Sequence, residues 1–405
     1  MTSEPLQPDA RVAIIGAGCA GVSAAVELLA RSPDVNITVF ESGDAFPSRR
    51  TWCSWSVHPH RFSEAVSDSW SRVRVRGSGR DTTVELAPYA YDCIRGEDFF
   101  RAAESEITRS TNSEIRFGAP IDAMHETPDG VTLTLRTADG SPTHETFDRV
   151  LDGRSCGRVT ASDPLEPVLI QHFGGLEVDI GDAGIDRTTV TLMDFDVPQS
   201  SGAHFMYVLP YARGTALIES TFMSPPGYAR PNYEAFALEY LEREFRVRSP
   251  RVVYRESGAL PMTLGRLSEA PPARVWPIGT RAGIGRASSG YAFDAIQRDA
   301  AHVATALLYG GPRPRPPRTR LLSVLDRVLL SWLERDPSAA PMIFGKLFES
   351  APTPALIRFL SDAPSKGDLL STMWAMPKLR TTLHTLGHRS AWPRTSRAVA
   401  IGESQ

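Results

Sequence analysis

Two groups of residues in this chain have the types and spacing to do chemistry. The first is Gly16-Ala17-Gly18-Cys19-Ala20-Gly21, a G-x-G-x-x-G run, followed about twenty residues later by Glu41. The first glycine of such a run makes a tight turn and the second lets backbone approach a pyrophosphate. The third allows close helix–strand packing, and the acid accepts hydrogen bonds from a ribose. An acid rather than a basic residue at 41 argues against a 2′-phosphate and suits FAD or NAD. The second group centres on Glu219, inside the apolar run Ala216-Leu217-Ile218-Glu219-Ser220-Thr221-Phe222. A carboxyl buried there must find a partner or keep its proton. On the residues alone, a structural ion pair and a proton donor are both open.

Other strings carry less. Gly153-Arg154-Ser155-Cys156-Gly157 has the G-x-S-x-G spelling of a nucleophile elbow, but a helix must follow the serine, and Pro164 and Pro167 stand there instead. His384 and His388 have i, i+4 spacing without the adjacent glutamate of a zinc site, and His58 and His60 sit in a proline loop, so no metal is expected. The four cysteines, Cys19, Cys53, Cys93 and Cys156, lie far apart with no metal or redox spacing, which fits a reduced, cytosolic enzyme.

These groups need elements to hold them. The apolar run over 11–16 reads as a buried strand, 22–31 as a helix with Val22, Ala25, Val26 and Leu29 on one stripe, and 36–40 as a second strand. Alternation over 130–136 and 145–151 predicts paired strands. Runs between 168 and 222 predict a mostly antiparallel second sheet inserted into the nucleotide domain. A helix over 232–246, a strand over 252–262 and a short strand at 275–279 follow. The glycine-rich 279–290 then leads into a helix over 291–309, a return to the nucleotide site. After the basic, proline-rich 310–318, helices are expected at 321–333, 341–348 and 354–360.

The expected fold is therefore α/β (α+β), with a Rossmann-like dinucleotide-binding domain, for FAD or NAD, over 1–160 and 250–310. An antiparallel substrate domain occupies 85–120 and 165–262, and a helical segment 319–390. The chain has 405 residues, 41% apolar, enough for two or three domains. A formal charge of −3 excludes a nucleic-acid partner held by bulk electrostatics. No apolar run is long enough to span a membrane, and the N-terminus lacks signal-peptide character. Residues 311–405, however, carry 11 Arg and 3 Lys against 7 acids, which would suit a face held near anionic lipid. Leu321, Leu322, Leu325, Val328, Leu329 and Trp332 could line a core or meet that lipid.

Taken in order, short fragments along the chain resemble the FAD-dependent lycopene cyclases of carotenoid biosynthesis. Beyond the glycine run they include Arg50-Thr51-Trp52-Cys53-Ser54-Trp55, Asp152-Gly153-Arg154, Gln171-His172-Phe173 and Met193-Asp194-Phe195. Phe205-Met206-Tyr207-Val208-Leu209-Pro210, Glu219-Ser220-Thr221-Phe222 and Glu256-Ser257-Gly258-Ala259-Leu260-Pro261-Met262 follow. Ser289-Gly290-Tyr291-Ala292-Phe293, Ile296-Gln297-Arg298 and Asp326-Arg327-Val328-Leu329-Leu330 complete the set. Two positions depart from the family: Ser54 replaces a usual aromatic, and Ala282-Gly283 a frequent Gly-Gly pair.

The resemblance implies a non-redox cyclisation of lycopene, or a related acyclic carotenoid, to β-ionone rings. Glu219 would be the acid. FAD, active when reduced by NAD(P)H, would contact Gly16, Gly18, Gly21, Glu41, Arg50, Asp152, Gly279, Gly283 and Gly290. Phe205, Tyr207 and Met262 would wall the substrate, and a lipid-borne substrate implies peripheral association with the cytoplasmic membrane face. Competing readings are a flavin monooxygenase, an isoprenoid reductase and a non-enzymatic carotenoid binder. Ile278-Gly279-Thr280 lacks the aspartate such monooxygenases usually carry there.

Overall fold

The computed structural model describes residues 2–376, except 48–49, 137–139, 155–158, 161–165, 182–183, 200–201, 265–270 and 314–317, and also 398–399. The G-x-S-x-G serine, Cys156, His384 and His388 lie outside the described residues.

After Arg11, the strand Arg11–Ile15 is continuously apolar and buried, rich in β-branched residues, the pattern of a parallel strand covered on both faces. It sits at the centre of a five-stranded parallel sheet in the order Val275–Pro277, Arg149–Asp152, Arg11–Ile15, Asn36–Phe40, Ser113–Arg116. The chain enters in the middle and winds outward both ways, which is the doubly wound Rossmann arrangement. Val12 and Ile14 face the helices Cys19–Arg31 and Phe293–Tyr309. Ala13 and Ile15 face a three-stranded antiparallel meander through Val131, Leu133 and Phe147.

The second sheet has seven strands in the order Val252–Met262, Leu169–Asp179, Thr215–Ser224, Ala203–Pro210, Thr189–Asp194, Arg72–Gly77, Arg80–Glu85. All pairs are antiparallel except Thr189–Asp194 with Arg72–Gly77. One face packs on the helix Tyr233–Phe245, through Met206, Val208 and Ile218 against Ala237, Tyr240 and Leu241. The other face turns toward a small sheet of Thr51–Trp55, Tyr91–Arg95 and Val66–Trp70, and toward the C-terminal helices.

Several boundaries differ from the sequence expectation. Stretch 85–120 is divided: Tyr91–Arg95 belongs to the small sheet, and Ser113–Arg116 is the edge strand of the parallel sheet, reached through the helix Gly96–Thr108; Arg72–Gly77 and Arg80–Glu85, placed in the nucleotide domain by the sequence, join the large sheet. Stretch 145–151 splits at Asp148, ending the meander and re-entering the parallel sheet. Leu169–Asp179 is one strand although Gly174 and Gly175 interrupt its pattern. Gly174 is needed because a Cβ there would lie 2.7 Å from Tyr233 Cβ, whereas one at 175 would lie 2.9 Å from the movable end of Leu217.

The C-terminal helices are Arg320–Arg335, Ala340–Ser350, Thr353–Leu360 and Lys366–Ala375, the last started by a Ser365/Asp368 capping box. A buried ionic latch fixes them to the second glycine loop. Arg286 reaches Asp326 at 3.2 Å and Asp362 at 3.6 Å, and Arg318 reaches Asp362 at 3.3 Å. Of the residues left between core and lipid, Leu322 and Trp332 are core, whereas Leu321 is exposed.

Candidate active site

At the C-terminal ends of the parallel strands, the glycine run turns into the helix Cys19–Arg31. A Cβ on Gly21 would lie 2.0 Å from the Gly16 carbonyl, so helix and strand can pack only with glycine there. Gly18 is the helix N-cap, has no side-chain cap, and faces open space. Free amide N–H groups beside an uncrowded glycine form a cradle for a phosphate. Glu41 accepts from the Ala17 N–H at 2.8 Å and the Gly43 N–H at 3.0 Å, which leaves acceptor capacity for a ribose hydroxyl.

Gly279, at φ +59°, brings the second loop onto this helix: a Cβ there would lie 2.7 Å from that of Ala20. Gly283 (φ +71°) faces open space, and Gly290 (φ +69°) packs toward Leu260 and Gln171 of the large sheet. Asp152 is buried and fully engaged by protein donors, with Arg154 and Arg281 each at 2.9 Å. It holds two guanidiniums at this sheet end. Arg50 donates to the Ser257 carbonyl at 3.4 Å.

Glu219 is only 8% exposed. Among the side chains opposite it in register is Tyr207, and Gly175 is opposite on the other side. Gly175 is also in register with Glu256, so the glycine leaves a gap across which the two carboxyls interact. Thr221 donates to Glu219 at 2.6 Å and Thr51 to Glu256 at 2.8 Å. Burial, and then the charge of Glu256, push the Glu219 carboxyl well above the ordinary range. Burial also raises Glu256, opposed by the Thr51 and Glu219 hydrogen bonds and by Arg95 and Arg50.

Aromatic groups surround this pair. The Tyr91 hydroxyl meets that of Tyr207 at 2.9 Å and that of Tyr291 at 2.6 Å, and Trp55 lies 4.5 Å from the Tyr91 ring. Burial raises all three phenols, so they stay neutral and present electron-rich faces to any cation. Cys53 and Cys93 stand directly opposite one another on neighbouring strands, a pairing their separation in sequence hides. Nearby, Ser54, Asp294 and Arg298 line a cleft of about 20 Å³, room for a single water. Burial pushes the Asp294 carboxyl up to about 7.

The structure thus holds a phosphate cradle at one sheet end and, on the face of the other sheet, a buried acid among aromatic side chains. The Lycopene cyclase protein family matches residues 11–384. The chain belongs to the lycopene cyclase family. A lycopene beta-cyclase from a Paracoccus species is 27% identical over 344 residues, 78% of this chain and 82% of that protein. Among solved structures, a flavoprotein/dehydrogenase from Cytophaga hutchinsonii superposes with TM-score 0.62 at 11% identity, over 93% of this chain and 99% of that one. A variant of HpxO from Klebsiella pneumoniae, complexed with FAD, gives 0.62 at 16% identity, over 91% and 99%. A geranylgeranyl bacteriochlorophyll reductase-like protein from Thermoplasma acidophilum gives 0.58 at 11%, over 93% and 99%. At these identities the structures share the fold alone.

Of the residues the sequence singled out, this lycopene cyclase fold gathers Gly16, Gly18, Gly21, Glu41 and Gly279 at one sheet end, and Glu219 with Tyr207 at the other sheet's face. Phe205 and Met262 lie farther along that face, buried with Leu330 and Leu333. Sequence reasoning missed Glu256, Tyr91, Arg154 and Arg281. Glu256 and Arg154 stood inside quoted fragments, but no spacing linked them to their partners. Asp326, also in such a fragment, serves the latch, accepting from Arg286 and Ser288. Among the described residues no cluster could hold a metal ion.

Proposed function

We propose that this chain closes the ends of lycopene, or a related acyclic carotenoid, into β-ionone rings with no net change in oxidation level. The observation that carries the reading is Glu219, an acid kept protonated by an apolar and aromatic wall in a member of the lycopene cyclase family. Glu219 gives its proton to the terminal double bond of the polyene. The faces of Tyr207, Tyr91 and Tyr291 stabilise the resulting tertiary cation. The neighbouring double bond attacks, the ring closes, and a ring proton is lost to restore unsaturation. Buried walls exclude the water that would otherwise capture the cation as an alcohol.

The open cradle at Gly18, the tight Gly16–Gly21 contact and the free capacity of Glu41 fit FAD. Those residues would hold its pyrophosphate and ribose, with Arg154 and Arg281 offering positive charge at the same sheet end. FAD reduced by NAD(P)H would, when bound, supply an anionic ring next to the developing positive charge.

No helix among the described residues is long and apolar enough to cross a membrane. Leu321, Val324, Leu370, Met373 and Trp374 are exposed on the C-terminal helices, and with the positive surplus of this segment they support peripheral contact with anionic lipid.

The test is expression in a lycopene-accumulating bacterium, followed by mass and absorption spectrum of the pigment. An isomer of unchanged mass and shifted spectrum is expected. A product heavier by oxygen would assign a monooxygenase, one heavier by hydrogen a reductase, and unaltered lycopene a binding protein.

A further inference from the structure

Alternate strands of a sheet lie roughly 10 Å apart, too far for short side chains to meet. Glu219 and Glu256 stand on such strands, yet they share one row across Gly175 and their carboxyls interact. The glycine between them makes this possible. A Cβ at 175 would lie 3.4 Å from Glu219 Cβ and 3.4 Å from Glu256 Cγ. Two carboxylates in buried contact cannot both ionise without strong repulsion, so the pair shares one proton.

The surroundings decide which member carries it. Glu256 accepts from Thr51 and feels the guanidiniums of Arg50 and Arg95. Glu219 accepts from Thr221, has no cationic partner among the described residues, and faces Tyr207 and Tyr291. Positive charge therefore favours a carboxylate at 256 and a carboxylic acid at 219. The other ionisable groups facing the pair are Cys53 on the small sheet, and Glu177, whose own charge Arg95 and Arg213 balance. Asp294 stands beyond Tyr291.

We propose that Glu256 is a positioning residue for the ring-closing acid: as the carboxylate of a proton-sharing pair, it aims and retains the Glu219 proton between turnovers. This rests on reading Glu219 as the acid. During the step, the Glu219 O–H bond breaks as a C–H bond forms on the polyene, and the electron pair stays on Glu219. The ring C–C bond forms from the neighbouring π pair. A ring C–H bond then breaks, its electrons restore a double bond, and its proton returns to the carboxylate pair. No electrons leave the substrate. While the proton is away, two negative charges face one carbocation, which offsets their repulsion.

The test is the pH dependence of ring formation by the flavin-loaded protein. The wild-type rate declines on an alkaline limb as Glu219 ionises. In Glu256→Gln the limb moves to lower pH by about one unit or more, so the rate above it falls about tenfold, while the acidic plateau changes less. Gly175→Ala separates the carboxyls without removing a charge and moves the limb the same way, which serves if Glu256→Gln does not fold. A limb unmoved in the folded variants, whatever the loss of rate, overturns the proposal. Carboxyl-carbon NMR titration without substrate separates this from the parent reading. A chain that closes no ring but shows a coupled Glu219–Glu256 titration defeats the cyclase reading alone. A chain that closes rings while Glu219 titrates identically in wild type and Glu256→Gln defeats only this proposal.

Discussion

Glu177 and Glu219 lie on the same face of the seven-stranded sheet, one pairing step apart, and are handled in opposite ways. Gly175 is in register with Glu219, and Glu177 with Leu217, so the two acids occupy adjacent rows. Glu177 receives Arg95, Arg213 at 3.1 Å and Thr215, and the Arg95 guanidinium lies 4.6 Å over the Tyr211 ring. Glu219 receives a threonine and a second acid. Burial is common to both, so it is the partner that separates a neutralised charge from a stored proton. One row holds the sheet together, and the next holds the acid proposed as the reagent.

The largest expected effect comes from removing the reagent. Glu219→Gln keeps shape and neutrality, so the fold should persist while ring formation with pre-reduced FAD falls by about 10²–10⁴-fold, the usual worth of a general acid. Product quantified by chromatography checks this. Arg95→Met attacks the other row. It leaves Glu177 under-compensated in a buried site, and denaturant unfolding should show a loss of about 3–5 kcal/mol, as for a broken buried pair.

The raised acid also bears on how stability varies with pH. The raised Glu219 binds its proton more tightly folded than unfolded. Its contribution is complete below the unfolded value of about 4.5 and is lost as pH rises through the folded one. Glu219→Gln should therefore flatten the stability–pH curve on the alkaline side, read as urea midpoints. The smallest effect lies behind the sheet. Burial lowers His172 to about 3 and His204 to about 4. These stay neutral, and their contribution is lost as pH falls from about 6.5 toward those values. Replacing His172 by Gln should remove part of the acid-side slope.

The same contrast explains what could be read without the structure. The nucleotide end was legible because its signals are local: glycines at fixed spacing, an apolar strand before them, a helix after and Glu41 at the next strand end. Glu219 was legible as an odd acid in an apolar run, but whether it had a cationic partner was not. Glu177 and Glu219 look alike in sequence, and only strand register gives one to arginines and the other to Glu256. Gly174 and Gly175 read as a break in a strand because their role, room for Tyr233 and for the carboxyl pair, belongs to residues on other elements. Asp152 matched a family fragment, but that Arg154 and Arg281 converge on it is a fact of tertiary placement. The opposed Cys53 and Cys93 were hidden for the same reason.

The claim beneath all of this is that Glu219 carries a proton at neutral pH. An infrared difference spectrum between wild type and Glu219→Gln at about pH 7 reads it directly. The account predicts that the wild-type protein shows a C=O stretch of a protonated carboxylic acid that vanishes in Glu219→Gln and survives in Glu177→Gln. Loss of a carboxylate band with no carboxylic-acid band would mean that Glu219 is ionised, and would contradict it.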